Sequence, residues 1–367
     1  MPDTAKDQEF KKKRQKNAIQ FVIKHPNTGR TTFIVQICVL VFACCLFLQA
    51  ETTHSQTEPT FTNPIAESGA DPWVTQRDGS YFYCYSRRNR IWVSRAQHLE
   101  DIGNATPAAV WTPPENTAHS KELWAPELHY LRGKWYIYVA ADDGDNFNHR
   151  MYVLEGATQN PLDPFVFKGK VTDATDRWAI DATVLQMPGD QLYFIWSGWE
   201  GEVNVQQNLY IAPMSDPLTI SGARVCISKP QLDWELHGKP LINEGPQILK
   251  NGDKVFIIYS ASGSWTDDYC LGQLALVGDD PLDPQSWKKK PQPVFSRTED
   301  VFGPGHASFV KSPNGNEDWI VYHSAKHSGA GWNRKVNIQP FTWNPDGSPN
   351  FGRPIAPGVS LPAPQRD

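Results

Sequence analysis

Beyond its first fifty residues, this chain has few cysteines, no sustained helical period and no excess of positive charge. Three of its six cysteines, Cys38, Cys44 and Cys45, lie in one apolar run near the N-terminus. The remaining three, Cys84, Cys226 and Cys270, are odd in number and far apart. That excludes a disulfide framework and offers no metal-ligand spacing. The set leaves room for one disulfide; buried free thiols are the simpler expectation. Without an apolar repeat of 3.6 residues after the N-terminus, helix content is expected to be low. Residues 1–30 carry eight Lys and Arg against Asp3, Asp7 and Glu9, giving +5, and the whole chain carries −5, so residues 31–367 carry −10. An acidic domain argues against nucleic acid and anionic surfaces as partners and favours a neutral or weakly charged substrate.

The N-terminal sixty residues are a different kind of sequence. After the basic segment 1–30 comes an apolar run, roughly Phe33 to Leu48, that ends in the polar stretch Glu51–Pro59. A basic flank followed by an apolar core is an export signal or an uncleaved signal anchor. The run is slightly shorter than the ~20 residues a spanning helix needs. Residues 1–30 are read as a basic cytoplasmic leader, 31–50 as signal peptide or signal anchor, and 51–62 as a linker. Either alternative puts the large domain outside the cytoplasm, with the apolar segment its sole membrane contact if uncleaved.

What the rest of the chain does have is aromatics, turns and repetition. Aromatic residues make up 12%, with 14 Trp, 30 Pro and 26 Gly. Five segments share one plan: a polar residue in a short apolar stretch, a Gly-containing turn, then an aromatic-rich strand. The polar residues Asp71, Glu127, Asp181, Glu244 and His306 precede Gly79, Gly133, Gly189, Gly252 and Gly315 by 8, 6, 8, 8 and 9 residues. The strands that follow include Tyr81–Tyr85, Trp135–Tyr138, Leu192–Trp196, Val255–Tyr259 and Trp319–Tyr322. The glycines recur 54, 56, 63 and 63 residues apart, a period that belongs to propellers and arrays. The reading is an all-β, five-bladed β-propeller over residues 63–362, its inner strands aiming five polar residues at one axis.

Acidic residues are poor strand formers and are seldom buried without a partner. One such residue would mean a turn cap or an arginine partner. Four acids and a histidine in register point to chemistry, because burying like charges costs several kcal/mol. Glycoside hydrolysis is the reaction that uses them: one carboxylic acid protonates the leaving oxygen and one carboxylate activates water or attacks carbon. A third carboxylate holds the acid's pKa up so that it keeps its proton at neutral pH. Trp73, Trp124 and Trp178 lie within three residues of the acids, and Trp199 and Trp265 follow second-strand turns. Aromatic faces there suit the C–H faces of sugars, although blades also pack with aromatics. Pocket depth would be set by the loops 197–207 and 262–268.

The ordered set Ala70-Asp71-Pro72, Glu122-Leu123-Trp124-Ala125-Pro126-Glu127, Trp178-Ala179-Ile180-Asp181, Asn243-Glu244-Gly245-Pro246 and Gly303-Pro304-Gly305-His306 resembles glycoside hydrolase family 43. The match extends to Arg334 and the tail Ile338–Trp343, and covers about residues 63–360. The resemblance implies a five-bladed propeller that hydrolyses with inversion. It makes Asp71 the general base, Glu244 the general acid and Asp181 the modulator of Glu244, roles that the residues alone leave unassigned. It puts Glu127 near the pocket floor as a substrate or network hydrogen-bonding group, with a structural role as the alternative. Arg334 matches an arginine that approaches the substrate, with a salt bridge closing the ring as the alternative. In many relatives that act on arabinan, the histidine at His306 helps hold a calcium ion through water. The other reading is a neutral, hydrogen-bonded histidine, since calcium prefers oxygen. No cofactor is needed for the chemistry itself.

Within the family, the wording around Trp178–Asp181, Tyr259–Gly263 and the tail resembles α-L-arabinofuranosidases. The implied substrate is plant cell-wall polysaccharide or oligosaccharide containing L-arabinofuranose. Endo-1,5-α-L-arabinanases and β-xylosidases share the same acids, so those alternatives stay open. A sugar-binding propeller without catalysis is the reading from another class; it would not need acid, base and modulator together.

Overall fold

The structure is a computed structural model, and it describes residues 59–366. The leader, the apolar segment and most of the linker lie outside the described residues. Strands β1 (Thr60–Thr62) and β2 (Trp73–Arg77) open the domain. β2 forms an antiparallel sheet with β3 (Ser80–Ser86), β4 (Ile91–Ala96) and β5 (Pro107–Trp111). The second sheet holds β6 (Lys121–Leu131), β7 (Lys134–Asp142), β8 (Arg150–Gly156) and β9 (Phe165–Lys170). In the third, β10 (Ala179–Met187) pairs with β11 (Gln191–Gly198) and β11 with β12 (Gln206–Asp216), whose outer edge takes both β13 (Thr219–Ile220) and β14 (Val225–Ser228). The fourth runs β15 (Leu241–Asn251), β16 (Lys254–Ala261), β17 (Cys270–Leu276) and β18 (Trp287–Lys289). The fifth runs β19 (Phe302–Lys311), β20 (Asp318–Ala325), β21 (Arg334–Trp343) and β22 (Pro349–Asn350). A short parallel pairing, Gln206 with Leu241 and Gln207 with Ile242, joins the third sheet to the fourth.

The aromatic runs read from the sequence fall in β3, β7, β11, β16 and β20, where β-branched and aromatic side chains suit a pleated, buried surface. The turns between first and second strands take their shape from residues at positive φ. Asp78-Gly79 (φ 50° and 70°) and Arg132-Gly133 (φ 46° and 82°) are two-residue hairpin connections of the kind that matches strand twist. Among the described residues the only helical pieces are 3₁₀ turns of three residues, such as Asn146–Asn148.

Each hydrophobic cluster is shared by two successive sheets, and the last sheet packs on the first. Phe82 of β3 meets Trp135 of β7 edge-on at 5.7 Å, and Tyr138 of β7 meets Phe194 of β11 at 5.3 Å. Leu185 and Ile195 pack with Ile257 and Leu274, and Phe256 and Ile258 with Ile320 and Tyr322. Val74 and Tyr81 close the cycle against Trp319 and Val321. The first strands neighbour one another in the same order, β2 to β6 to β10 to β15 to β19 and back to β2. β1 pairs antiparallel with β23 (Ser360–Pro362), so residues 60–62, read as the end of the linker, are a strand of the folded domain. Cys84, Cys226 and Cys270 are free thiols.

Candidate active site

The five in-register polar residues sit where their strands are irregular. The β-ladder slips between Trp124 and Glu127, Ile180 and Thr183, Glu244 and Gln247, and Gly305 and Ser308. Asp71 lies just before β2 begins. Asp71 (φ 48°), Asp181 (φ 55°) and His306 (φ 46°) adopt left-handed backbone, as does Gly245 (φ 54°) beside Glu244. An extra residue of this kind turns a strand and re-aims its side chains, at a conformational cost that surrounding packing must offset. Gly245 has a second reason to be glycine: a Cβ there would lie 3.1–3.3 Å from ring atoms of His306.

Asp71, Asp181, Glu244 and His306 face one cavity of about 610 Å³, which Trp124, Trp178, Trp265, Trp332 and Arg334 help to line. Both loops expected to set its depth contribute, through Asn204 and Gln207 on one and Ser264 and Trp265 on the other.

The acids differ in their surroundings. Asp71 Oδ1 accepts from Arg334 Nη1 at 3.2 Å and lies 3.2 Å from His306 Nδ1, while the Asp71 amide donates to His323 Nδ1 at 3.0 Å. Burial acts to raise the Asp71 pKa, but His306, His323 and Arg334 outweigh it and hold the carboxyl well below the usual range. Burial in turn lowers both imidazoles, His323 to about 3. Near neutral pH the lasting positive charge beside Asp71 is therefore Arg334, and the histidines act through hydrogen bonds.

Glu244 Oε1 accepts from the Tyr269 hydroxyl at 2.8 Å. Burial pushes its carboxyl up to about 7, against the pull of Tyr269 and Arg334 and with the Asp71 charge adding to the rise. Asp181 Oδ2 accepts from the Gly245 amide at 3.1 Å. Its pKa is raised well above the ordinary value by burial, then by the charges of Glu244 and Asp71. So one carboxyl is held towards its ionised form, while burial shifts the other two towards their protonated forms.

The other expected residues divide. Trp124 stacks at 3.9 Å on His149, and its indole nitrogen donates to Glu122 Oε2 at 3.2 Å. Trp178 donates to the Asn146 carbonyl at 2.7 Å. Trp199 stands behind Trp178, stacked at 4.8 Å, and supports the wall without lining the cavity. Trp73 is turned away: its indole donates to the Leu128 carbonyl at 2.7 Å and its ring packs on His129 at 4.6 Å. The left-handed residue at Asp71 interrupts the period-two alternation, so Trp73 does not share its face. Glu127 is also outside the cavity lining, buried between His129 Nε2 at 2.8 Å and the Gln247 amide. Sequence reasoning missed Tyr269, His323 and Trp332, which come from the loop just before a third strand, a second strand and a loop.

Direct coordination of a calcium ion at His306 finds a poor donor set. Nδ1 is engaged by Asp71, and among the described residues no group of three His, Cys, Asp or Glu side chains is arranged to hold a metal. Calcium takes six to eight oxygens. These residues do not fit direct coordination.

The model of Glycosyl hydrolases family 43 matches residues 61–349. The chain belongs to that family. It is a glycoside hydrolase. This family 43 member is 37% identical to the "Extracellular exo-alpha-(1->5)-L-arabinofuranosidase" of Streptomyces avermitilis, over 89% of this chain and 71% of the relative. It is 33% identical to "Alpha-L-arabinofuranosidase 43" of Humicola insolens, over 89% and 69%. The crystal structure of an α-L-arabinofuranosidase from Lactobacillus brevis superposes with a TM-score of 0.76 at 35% identity, covering 82% of this hydrolase and 98% of that chain.

Proposed function

We propose that this hydrolase releases terminal α-L-arabinofuranosyl units from arabinan or arabinose-decorated plant polysaccharide, with inversion. The substrate follows the names of the relatives on which the family assignment rests. The mechanism rests on one observation, the opposite displacement of the Asp71 and Glu244 pKa values across a single cavity. Asp71, ionised, takes a proton from water as the oxygen attacks the anomeric carbon. Glu244, which burial keeps largely protonated up to about pH 7, gives its proton to the leaving oxygen as the glycosidic bond breaks. Asp181 accepts from the Gly245 amide, so it fixes the backbone beside Glu244, and as the modulator it competes with Glu244 for charge in the same buried cavity. Arg334 positions Asp71. Inversion requires room for the water, so the Asp71 and Glu244 carboxyls should stand roughly 6.5–9.5 Å apart. No step passes through a metal.

The cyclic packing of five antiparallel sheets supports a five-bladed propeller, with the cavity at one end of its axis. The basic and apolar segments 1–50, together with an extracellular relative, support export. The test is incubation of the purified protein with para-nitrophenyl α-L-arabinofuranoside, the matching β-D-xyloside and linear arabinan, with NMR of the first anomer formed. Single arabinose units released as the β-anomer are expected. Retained configuration overturns the mechanism; short oligomers alone make it an endo-arabinanase, and xylose a xylosidase. Silence on all three, in folded protein, returns the sugar-binding reading.

A further inference from the structure

At the opposite end of the fourth sheet from the cavity, the surface departs from the acidic character of the domain. A concavity of about 360 Å³ opens between β16, β17 and the segment after β18. Lys254, Lys288 and Lys290 surround it, and none of the three is in a salt bridge among the described residues. Lys289 is accounted for separately, held at 2.7 Å by the buried carboxylate of Glu235. Lys254 donates to the backbone carbonyl of Asp346. The Asp346 carboxylate accepts from the amide and hydroxyl of Ser348 at 2.9 and 2.7 Å. It offsets one of the three ammonium groups and leaves a local excess of positive charge.

A second observation points to a ligand. Gln273, 5% exposed, lines the same concavity, and its buried Oε1 has no hydrogen-bond partner among the described residues. Leaving a buried amide oxygen without a partner is unfavourable, so polar groups that enter the concavity and pair with it are favoured. Beside the lysines, Val277 is 64% exposed and offers an apolar face. Ammonium groups for carboxylates, an amide for hydroxyls and an apolar face for sugar C–H groups form one consistent set. We propose that this concavity is a second carbohydrate site that binds a polysaccharide bearing carboxylate groups, a uronate-containing chain. It anchors the hydrolase to acidic matrix while the cavity at the other end works on neutral branches. The choice of a sugar polymer rests on the chain being a glycoside hydrolase; the site is independent of which glycosidic bond it cleaves. Glu244 pairs with Ser260, and six residues of β16 at ~3.4 Å each separate Ser260 from Lys254. The two sites thus lie about 20 Å apart along the strand, too far for one sugar unit to touch both.

The test is affinity electrophoresis of the full chain through gels containing polygalacturonate, neutral arabinan or RNA, at low salt. The proposal expects retardation by polygalacturonate, at least tenfold weaker for Lys288→Glu/Lys290→Glu, and unchanged turnover of a soluble aryl glycoside by that variant. Lys11→Glu/Lys12→Glu carries the same change of charge in the basic leader and should still be retarded. Equal retardation of wild type and Lys288→Glu/Lys290→Glu overturns the site, as does loss of retardation in the leader variant alone. Equal retardation by RNA reduces it to a general polyanion patch and overturns the sugar assignment. Turnover of the aryl glycoside in the same preparations tests the arabinofuranosidase reading separately.

Discussion

The division of labour among the carboxyl groups is set by a few atoms around each. Glu244 differs from Asp71 chiefly in lacking a close cationic partner; it has the Tyr269 hydroxyl, which favours its ionised form. A general acid must be protonated, so activity should fall as pH rises through about 7. A general base must be ionised, so the acid limb should lie well below the ordinary range of a carboxylate. Tyr269→Phe removes a bond that lowers the Glu244 pKa, and the alkaline limb of kcat/KM should move up by roughly one pH unit; a downward or absent shift would count against Glu244 as the acid. Asp71→Asn should abolish turnover while arabinose binding stays measurable by calorimetry. The donor set at His306 predicts that treatment with a chelator, followed by gel filtration, leaves kcat unchanged. Activity lost and then restored by calcium would establish a water-held ion. Much of this site was legible in the sequence because Asp71, Asp181, Glu244 and His306 repeat at one place in a repeated plan. Tyr269 and His323 were not, since nothing in the sequence distinguishes a tyrosine or histidine that faces a carboxylate from one that packs in a core.

At the scale of strands and loops, the sequence located first and second strands well and side-chain direction less well. Apolar stretches and Gly turns mark where β2 and β3 or β15 and β16 lie. A left-handed residue such as Asp71 reverses the alternation, and no pattern of hydrophobicity announces it. Trp73 and Trp124 make the distinction measurable. Trp124→Ala should raise KM for arabino-oligosaccharides by roughly three- to tenfold, the worth of about 0.5–1.5 kcal/mol of stacking. Trp73→Ala should leave KM unchanged and lower stability, because its ring is packed on His129 away from the cavity. The loop tryptophan Trp332, 68% exposed and tethered to Ser264 Oγ at 3.1 Å, was invisible to the repeat because it lies outside it.

For the whole molecule, the repeat period indicated a closed array, and the shared clusters show each sheet using the next as its partner. What the sequence did not signal is the fastening of the cycle: Thr60–Thr62 reads as linker, yet it pairs with Ser360–Pro362, and Phe61 packs against Trp319 at 6.0 Å. Three polar-flanked residues carry too little pattern to be recognised as a strand. A chain ending at Val359 loses this pairing and should melt roughly 5 °C lower by calorimetry. Its kcat at 25 °C should be unchanged, since no cavity residue lies in β1 or β23.

That same fastening brings the start and the end of the described domain side by side. Which sheet comes first along the chain is then a matter of where translation begins, with no bearing on which sheet packs on which. A circular permutant that joins residue 366 to residue 59 by a short linker and opens at the Gly252-Asp253 turn would begin with β16 and end with β15. It should still assemble the cavity and hydrolyse the aryl glycoside.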